Sequence, residues 1–470
     1  MSPSAQTKDT YRLIHDGILA FGRAERHGIR VDVEYCEKKK VHLTRKIKYI
    51  KNKLQDTELL KLWKKIYGNK VKLSSNYQLS YLLYTIMKLK PVKVTTGGKK
   101  GKKQGATDEE SLSALDIPEL NKILEIRKLA KVRDTYLDGF LREQVDGVIH
   151  PFGNLHLART FRSSMNSPNF QNIPIRDIES MKICRSALST RPGYHWLAVD
   201  YSGVEVRMAC VYTEDPTLIH DTLHGNMHKD MAIELYLLDG LDKGHSGEKN
   251  LYQGAKNGFV FPQFYGDYSG NCAPNLLSWA KIASLKDGTP GLVHLSDKGL
   301  VKLNKKGKVI NYEKFLRHVE NVEDDFWNVR YKVYSKWKKK WWEDYQKRGY
   351  IDMLTGFRCK DVMDQKQCCN TPFQGTAFHC LLWSFIRIDQ ICYEEENWDS
   401  KIMGQIHDEI SIDTYPDELE HVAETVQRVS CTELPKEWKW ISIPLEVDAD
   451  LCEVGDSWAK KKPYKLPEVI

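Results

Sequence analysis

Two aspartates stand where the sequence could support metal-dependent chemistry. Asp200 ends the apolar run YHWLAVD (194–200), which predicts a buried strand, and Asp408 lies in IHDEI between two apolar stretches. A carboxylate beside apolar strands is unfavourable to bury unless it is paired or bound to a cation. If the two converged, they could hold two metal ions about 3.5–4 Å apart, which stabilise an in-line displacement. Either aspartate alone is more typical of a turn cap. The motifs around the two residues therefore decide between a turn cap and a metal ligand.

The elements that must position these aspartates are predicted to be mainly helical. Apolar residues at helical spacing predict helices over 11–65, interrupted by a turn and short strand at 27–32, and one long helix over 108–145. Further patterns predict a helix pair at 313–348, a helix at 372–395, a hairpin-like insertion at 270–312 and a strand, turn and strand around 407–409.

Length, charge and cysteine content narrow the class of protein. A chain of 470 residues suits about two to four subdomains. The net charge of +8 permits a polyanionic partner without requiring one. The 11 scattered cysteines form no C-x-x-C pair, which is typical of reduced thiols. Because no signal peptide or membrane-length apolar segment is present, we expect a soluble, cytoplasmic protein with no membrane partner.

One lysine-rich stretch is predicted to be a loop. Residues 93–107, KVTTGGKKGKKQGAT, are rich in Gly and Lys and cannot contribute to a core. The stretch is either a solvated loop or a flexible tip that contacts phosphates, and both interpretations stay open.

Three motifs follow one another in the order expected of a polymerase. They are DYSGVEVR at 200–207, AKNGFVFPQFYG at 255–266 and IHDE at 406–409. Together they resemble the polymerase motifs of the DNA polymerase I family (family A), more closely its bacteriophage-type branch. Four further segments match the family: ERHGIRVD near the start, RTFRSSMNSPNFQNIP at 159–174, NTPFQGTA at 370–377 and EVDADLCEVGDSWAK near the end.

The resemblance implies an α+β fold shaped as a right hand. It has a palm built on an antiparallel sheet, helical fingers and a helical thumb with the lysine-rich loop at its tip. The implied layout is a segment leading into the palm at 1–34, the thumb at 35–148, palm at 149–215, fingers at 216–360 and palm again at 361–470. Lys336 and Lys338–Lys340 are then expected near template phosphates.

The family's catalytic roles transfer to matching residues. Asp200 and Asp408, with the main-chain carbonyl of Tyr201, would hold two Mg²⁺ ions, for which Mn²⁺ could substitute. Glu409 would be an accessory acid, with a solvated turn residue as the alternative. Lys256 would contact the incoming triphosphate as a point charge.

The nucleotide site is implied by four further residues. Phe261 and Tyr265 lie four apart on a predicted helix, so they share a face and would lie against the nascent base pair and sugar. The alternative is an aromatic stripe of the core. Glu205 matches the family's steric gate, which predicts selection of dNTPs over NTPs. His228 is assigned to the same nucleotide site.

A set of polar residues is expected to contact primer–template DNA. Minor-groove acceptors are similar for all base pairs, so such contacts read pair shape rather than sequence. The alternative for each is local hydrogen bonding in a turn. The set comprises Arg162, Asn169, Gln171, Asn172, Lys366, Asn370, Gln374 and His407.

Three departures from the family pattern affect the fingers and the DNA contacts. Tyr252 stands where the family has an Arg four residues before the fingers lysine, and Lys249 is expected to supply the missing charge. The spacing from Lys256 to Tyr265 is one residue longer than in bacterial members, which predicts a local bulge or a shifted register. Lys366 stands where the family often has an Arg.

Because the polymerase-like region starts almost at Met1, we expect no 3′–5′ exonuclease domain of the kind that family members often carry upstream. We therefore expect primer–template DNA and dNTPs as partners, with proofreading absent or supplied by a separate exonuclease, and with a processivity partner as a further expectation. Two alternatives remain: a single-subunit RNA polymerase, and a degenerate polymerase kept as a DNA-binding accessory subunit. A phage protein in a bacterial host is the expected source.

Overall fold

The computed structural model describes residues 7–95, 103–175 and 177–467. Its helices and strands form an α+β fold, as the sequence predicts. Residues 96–102 of the lysine-rich stretch lie outside the described residues. Within the described ranges, no helix is both long enough and apolar enough to cross a membrane.

The strands are short and mostly paired with near neighbours in the chain. In order they are β1 Ile29–Val31, β2 Val94–Thr95, β3 Gln104–Gly105, β4 Val148–Ile149, β5 Phe152–Asn154, β6 Ser164–Asn166, β7 Leu188–Ser189, β8 His195–Tyr201, β9 Lys302–Leu303, β10 Val309–Asn311, β11 Ile351–Asp352, β12 Arg358–Cys359, β13 Lys401–Ile406, β14 Glu409–Thr414, β15 Val447–Cys452 and β16 Lys462–Tyr464.

The helices carry most of the chain. In order they are α1 Thr7–His27, α2 Val33–Leu54, α3 Glu58–Tyr67, α4 Asn76–Ser80, α5 Glu109–Ser113, α6 Pro118–Lys131, α7 Asp138–Glu143, α8 Ile178–Arg185, α9 Val204–Thr213, α10 Pro216–Leu223, α11 Met227–Tyr236, α12 Ser246–Ala255, α13 Phe261–Phe264, α14 Ser269–Ile282, α15 Gly291–Asp297, α16 Glu313–Asp325, α17 Lys332–Arg348, α18 Gln365–Gln390, α19 Leu419–Arg428 and α20 Leu434–Glu437.

A five-stranded antiparallel sheet lies at the centre of the fold, in the order β13-β14-β8-β15-β16. Strand β8 is the predicted buried strand, and it pairs with β14 on one side and β15 on the other. Alternate residues of a strand point to opposite faces. Trp196 therefore shares one face of β8 with Asp200, while Tyr201 points to the other face.

The two faces of this sheet are covered differently. On one face, the Tyr201 hydroxyl is hydrogen-bonded to Ser384 of the long helix α18 at 2.8 Å. On the other, Trp196 stacks on Trp458 with ring centroids 5.1 Å apart, and Asp200 lies beyond this stack with an exposed side chain. The second face is thus left open at the end that carries Asp200.

A helical region precedes the sheet in sequence. Helix α2 packs along α6 and α7. The single long helix predicted over 108–145 is instead divided, because Asp116 adopts a left-handed φ of 55° and Pro118 begins a new helix. Proline suits a first helical position, where its missing N–H has no helical partner to lose.

A second helical region, α10–α17, lies between β8 and β11 and is built around aromatic rings. Phe326 packs edge-to-face on Phe259 and Tyr331 at centroid distances of 5.5 and 4.8 Å. The insertion predicted as hairpin-like at 270–312 contains the helices α14 and α15 before the β9–β10 hairpin. The sequence prediction missed these helices because Gly and Lys residues occur in both the helices and the hairpin.

Candidate active site

Strand pairing places the two aspartates side by side. Asp200 is the last residue but one of β8, and Asp408 lies in the two-residue turn between β13 and β14. His407 takes the left-handed conformation in that turn, with φ of 56°. The Tyr201 N–H donates to the Asp408 carbonyl at 3.1 Å, which joins the turn to β8. The two carboxyl groups lie close enough for each to affect the pKa of the other.

The pair is electrostatically strained. Enclosure by protein raises the pKa of Asp200, and the neighbouring carboxylates of Asp408 and Glu409 raise it further. Enclosure also raises the pKa of Asp408. The Asp200 side chain is nevertheless exposed at the floor of an open cleft, so the repulsion can be relieved from solvent by a cation.

Further carboxylates lie on the same face, and of these the sequence indicated only Glu409. Glu409 and Asp448 are the cross-strand partners of Asp200 on either side. Asp450 follows two residues after Asp448, which puts it on the same face. The alternation in EVDADL is the signal that could have revealed this row before the structure.

One lysine partly neutralises this row. Lys461 lies 2.7 Å from Glu409 and 3.3 Å from Asp450, and its side chain is only 14% exposed. Lys461 lies between the Trp458 turn and β16. The chain segment after Trp458 therefore places this cation against carboxylates of β14 and β15. No sequence pattern predicts this contact, because it depends on the path of the chain after β15.

A second cluster joins the residues predicted to select the sugar. Arg162 and Glu205 form an ion pair, and the Tyr265 hydroxyl donates to Glu205 Oε2 at 2.7 Å. Asn370 Nδ2 donates to the Tyr265 carbonyl at 3.0 Å, and Arg162 Nε donates to the Gln374 carbonyl at 3.4 Å. Five predicted residues from four distant segments therefore meet.

A small apolar pocket of about 40 Å³ opens beside this cluster. Glu205, Phe261 and Tyr265 line it together with Asn370 and Gln374. Aromatic rings of Phe264, Tyr334 and Phe373 complete the wall. Flat apolar walls with a few polar groups are typical of sites that orient a small ligand.

Lys256, the predicted fingers lysine, and His228 both lie near the ring of Phe261. Lys256 Nζ is 5.3 Å from the centre of the Phe261 ring, and the His228 ring is 5.4 Å from the same centre. Burial lowers the pKa of His228 to about 4, with Lys256 and Lys243 adding to the shift. A π-helical turn spans Lys256–Val260, which agrees with the bulge expected from the extra residue.

The predicted substitute for the missing arginine is not near this group. Lys249 is exposed, and its side chain forms no hydrogen bond or ion pair with any residue that the structure describes. Tyr252 instead contacts the His228 ring, at a centroid distance of 5.8 Å, and lies under Lys243. Helical spacing suggested Lys249, but the loop before α12 places Lys243 over the Tyr252 ring, where its charge affects His228.

Gln171 belongs to a hydrogen-bond network under the aspartate turn. Its Nε2 donates to Ser163 Oγ at 2.8 Å and to Gln405 Oε1 at 2.9 Å. Buried Gln405, which the sequence analysis did not single out, also donates to the His407 carbonyl. Gln171 therefore supports the position of the turn.

The Asn169 side chain is engaged locally, as the alternative interpretation allows, whereas Asn172 is bonded through its main chain. The Asn169 side chain accepts from the Asn172 N–H at 3.2 Å, and the Asn172 carbonyl accepts from the Tyr136 hydroxyl at 2.8 Å. The Asn172 side chain has no such role in these bonds.

The remaining predicted basic residues are divided between surface and core. Lys366 is exposed in the first turn of α18, as are Lys336, Lys339 and Lys340 on α17. Lys338 points inward, with Nζ 3.0 Å from the centre of the Trp327 ring. Burial lowers the pKa of Lys338 to about 8. The contact of Lys338 with template phosphates stays a prediction, and its inward position makes it the least accessible of these lysines.

The carboxylate group is smaller than a complete metal cage. In the described part of the chain, no three His, Cys, Asp or Glu side chains are arranged to hold a metal ion. Two carboxylates and a main-chain carbonyl nevertheless suit Mg²⁺, which prefers oxygen ligands and keeps places for water and phosphate. The donor set and its strained charge therefore fit a divalent cation.

Comparison with known proteins identifies relatives over most of the chain. The family described as DNA polymerase family A matches residues 39–242 and 317–460. DNA polymerase I of Geobacillus stearothermophilus is 25% identical over 454 residues, covering 95% of this chain and 45% of the relative. DNA polymerase I of Lactococcus lactis is 27% identical over 417 residues, covering 87% and 42%. The chain thus spans less than half the length of these relatives.

A solved structure shares the fold. The POL domain of Pol1 from M. smegmatis, in complex with a DNA primer–template and dNTP, superposes with a TM-score of 0.70 at 22% identity. The match covers 95% of this chain and 70% of the other.

Proposed function

The chain belongs to DNA polymerase family A, and we propose that it synthesises DNA on a template by adding dNTPs to the 3′ end of a primer, in replication or repair. The observation that carries this proposal is the meeting of the Asp200–Asp408 pair with the Arg162–Glu205–Tyr265 cluster. Arg162 connects the two groups, because it forms an ion pair with Glu205 and lies close enough to Asp408 for that carboxylate to offset part of the lowering of the Arg162 pKa by burial.

Asp200, Asp408 and the Tyr201 carbonyl are the proposed ligands of two Mg²⁺ ions, which Mn²⁺ could replace. Bound there, such ions supply Lewis-acid stabilisation of the attacking and leaving oxygens. The protein contributes the spacing of the two carboxylates, which strand pairing fixes before any ligand binds. Glu409 contributes a third negative charge, held in place by Lys461.

Lys256 is proposed to contact the triphosphate of the incoming nucleotide. Phosphoryl transfer requires mainly positioning and charge neutralisation, which a lysine supplies. His228 lies beside Lys256 and is neutral at pH 7, so it would orient the phosphates by hydrogen bonding. Phe261 and Tyr265 are proposed to lie against the nascent base pair and the sugar.

Glu205 is proposed to reject ribonucleotides. The hydrogen bond from Tyr265 and the ion pair to Arg162 hold its carboxylate at the edge of the pocket. A carboxylate fixed in this way would occupy the space that a ribose 2′-hydroxyl needs. This arrangement supports a DNA polymerase over a single-subunit RNA polymerase.

We propose the same domain layout and DNA contacts as the sequence predicts. The thumb then occupies 35–148, the fingers 216–360 and the palm 1–34, 149–215 and 361–470. Contacts to the primer–template are proposed for Arg162, Asn169, Gln171, Asn172, Lys366, Asn370, Gln374 and His407. Gln171 would act through Gln405 and the aspartate turn.

The finer placement of the protein also stays a proposal. The bacteriophage-type branch rests on the motifs alone, since the relatives named above are bacterial. A cytoplasmic location and a separate exonuclease or processivity partner belong to the same proposal.

Primer extension tests the function directly. A labelled primer on a DNA template is incubated with Mg²⁺ and either dNTPs or NTPs, using wild type, Asp200→Ala and the exposed-surface control Asp417→Ala. We expect extension with dNTPs by the wild type and the control, and none by Asp200→Ala. Binding of the primer–template by each variant is measured in parallel.

Two outcomes would contradict the proposal in different ways. Efficient RNA synthesis from NTPs would indicate an RNA polymerase. A wild type that binds primer–template but extends it with neither substrate would indicate a DNA-binding accessory subunit.

A further inference from the structure

A second lysine lies beside the proposed triphosphate site, and it comes from a loop rather than a helix. Lys243 is in the loop between α11 and α12, and its Nζ is 4.4 Å from the centre of the Tyr252 ring. Tyr252 in turn contacts His228, which Lys256 flanks through Phe261. Lys243 and Lys256 thus each approach His228 beside an aromatic ring, Tyr252 for Lys243 and Phe261 for Lys256.

The loop that carries Lys243 is anchored at a defined position. Glu248 is 6% exposed and accepts hydrogen bonds from the N–H groups of Asp242 and Lys286, at 2.7 and 3.1 Å. Asp242 also forms an ion pair with Lys286 Nζ at 2.9 Å. The Gly244 N–H donates back to Asp242 at 2.8 Å, which closes the turn around Lys243.

Lys243 has a charge available for a ligand. Its Nζ forms no ion pair within the described ranges, and its side chain is exposed apart from the contact with Tyr252. An ammonium over an aromatic face is held in direction but keeps its hydrogen-bond donors. The ring therefore orients Lys243 without neutralising it.

The site needs more positive charge than Lys256 provides. A nucleoside triphosphate carries several negative charges, and its transfer depends on neutralising them. His228 brings none, because burial lowers its pKa to about 4 and leaves the ring neutral at pH 7. Lys243 is the further cation whose charge reaches His228.

We propose that Lys243 binds the triphosphate of the incoming nucleotide together with Lys256, with Tyr252 as the platform that orients it. This inference rests on the proposed function, which supplies the dNTP. It replaces Lys249, the residue that helical spacing suggests, with a residue from a different element.

Nucleotide affinity tests the proposal without a chemical step. A primer ended by a dideoxynucleotide is bound to the enzyme with its template, and the Kd of the next correct dNTP is measured for wild type, Lys243→Ala, Lys243→Arg and Lys249→Ala. We expect about a tenfold higher Kd for Lys243→Ala, the scale of one hydrogen bond to a charged group. Lys243→Arg should recover most of the affinity, and Lys249→Ala should match the wild type.

A second measurement shows which part of the nucleotide is contacted. Inorganic tripolyphosphate is used as a competitor of the dNTP in primer extension. Lys243→Ala should weaken this inhibition as much as it weakens dNTP binding, because the contact is to phosphate. Tyr252→Leu should weaken both to a smaller degree, since Lys243 keeps its charge but loses its platform.

Failure of this inference can be told apart from failure of the proposed function. A wild type that extends primers, with unchanged dNTP affinity in Lys243→Ala, overturns the role of Lys243 alone. A loss caused by Lys249→Ala instead would reinstate the helical residue. A wild type that neither extends primers nor binds dNTP overturns both proposals.

Discussion

The two ends of the candidate active site carry opposite charges and are held by different kinds of structure. At the acidic end, Asp200 lies on β8 and Asp408 lies in the turn before its partner strand β14, so strand register fixes their separation. At the basic end, Lys256 lies on a helical turn and Lys243 on a loop anchored by Glu248. The acidic end is therefore formed by backbone pairing between strands that are far apart in sequence, whereas the basic end depends on side-chain packing and loop contacts within one region of the chain.

Each end is also short of countercharge. The acidic row has Lys461 as its close cation, and the two lysines at the basic end form no ion pair with the residues that the structure describes. Opposite charges that cannot reach one another inside the protein are available to ligands. This difference supports the proposal that a divalent cation and a triphosphate complete the site together.

The largest expected effect is at the acidic end. Asp408→Asn keeps the size of the side chain but removes its charge, so kcat for primer extension should fall by about 1,000-fold or more. Single-turnover extension measures this fall, with Asp417→Asn as the matched control. Near-normal kcat in a well-folded Asp408→Asn protein would show that primer extension does not depend on the Asp200–Asp408 carboxylate pair.

The next effect concerns the boundary between the two ends. Glu205→Ala removes the carboxylate that Tyr265 and Arg162 hold, so discrimination between dNTP and NTP should fall by about a hundredfold. The ratio of kcat/KM for the two substrates measures this change. Unchanged discrimination would show that another group excludes the 2′-hydroxyl.

A smaller effect is expected from the cation within the acidic row. Lys461→Met leaves Glu409 without its partner, so kcat should fall about tenfold as the carboxylate moves. Lys461→Arg should restore most of the activity, and the melting temperature of each variant controls for misfolding. Full kcat in a folded Lys461→Met protein would make this ion pair irrelevant to the site.

The smallest effect is on stability and lies away from both ends. Burial lowers the pKa of Lys338 to about 8, below its value in the unfolded chain, so the unfolded state binds more protons above that pH. The free energy of unfolding should therefore gain a contribution from Lys338 that rises between pH 8 and about 10.5. Lys338→Met should lose this rise in chemical denaturation. An identical pH profile for the variant would show that Trp327 stabilises the charged form fully.

The sequence was most informative where local pattern decides structure. The apolar run ending at Asp200 and the strand, turn and strand around Asp408 formed as predicted, because alternation and a short turn leave few other arrangements. The row that includes Asp448 follows from the same alternation. Family resemblance, rather than pattern, connected these segments to one another.

The sequence was least informative where contacts between side chains depend on the path of loops. Lys249 was favoured by helical spacing, yet the loop before α12 brings Lys243 to Tyr252. Lys461 contacts Glu409 only because the chain turns after Trp458 and returns as β16. The contact between Lys461 and Glu409 joins segments that are distant in sequence, and neither contact leaves a periodic signal.

Helix boundaries failed for a related reason. A helical pattern ran across 108–145, but Asp116 and Pro118 divide it. The turn signals at 270–312 suggested strands, although they separate two helices from one small hairpin. In both places, the same residues are compatible with a helix end and with a turn between strands. The sequence pattern alone does not decide between these two structures.

The central claim is that the Asp200–Asp408 pair binds divalent cations in cooperation with the triphosphate end. Mn²⁺ binding, followed by electron paramagnetic resonance, tests it with enzyme held on a dideoxy-terminated primer–template, with and without the next dNTP. The account predicts that dNTP strengthens Mn²⁺ binding in the wild type and that Asp200→Ala abolishes this binding. The same Mn²⁺ affinity and stoichiometry in Asp200→Ala and wild type would contradict it.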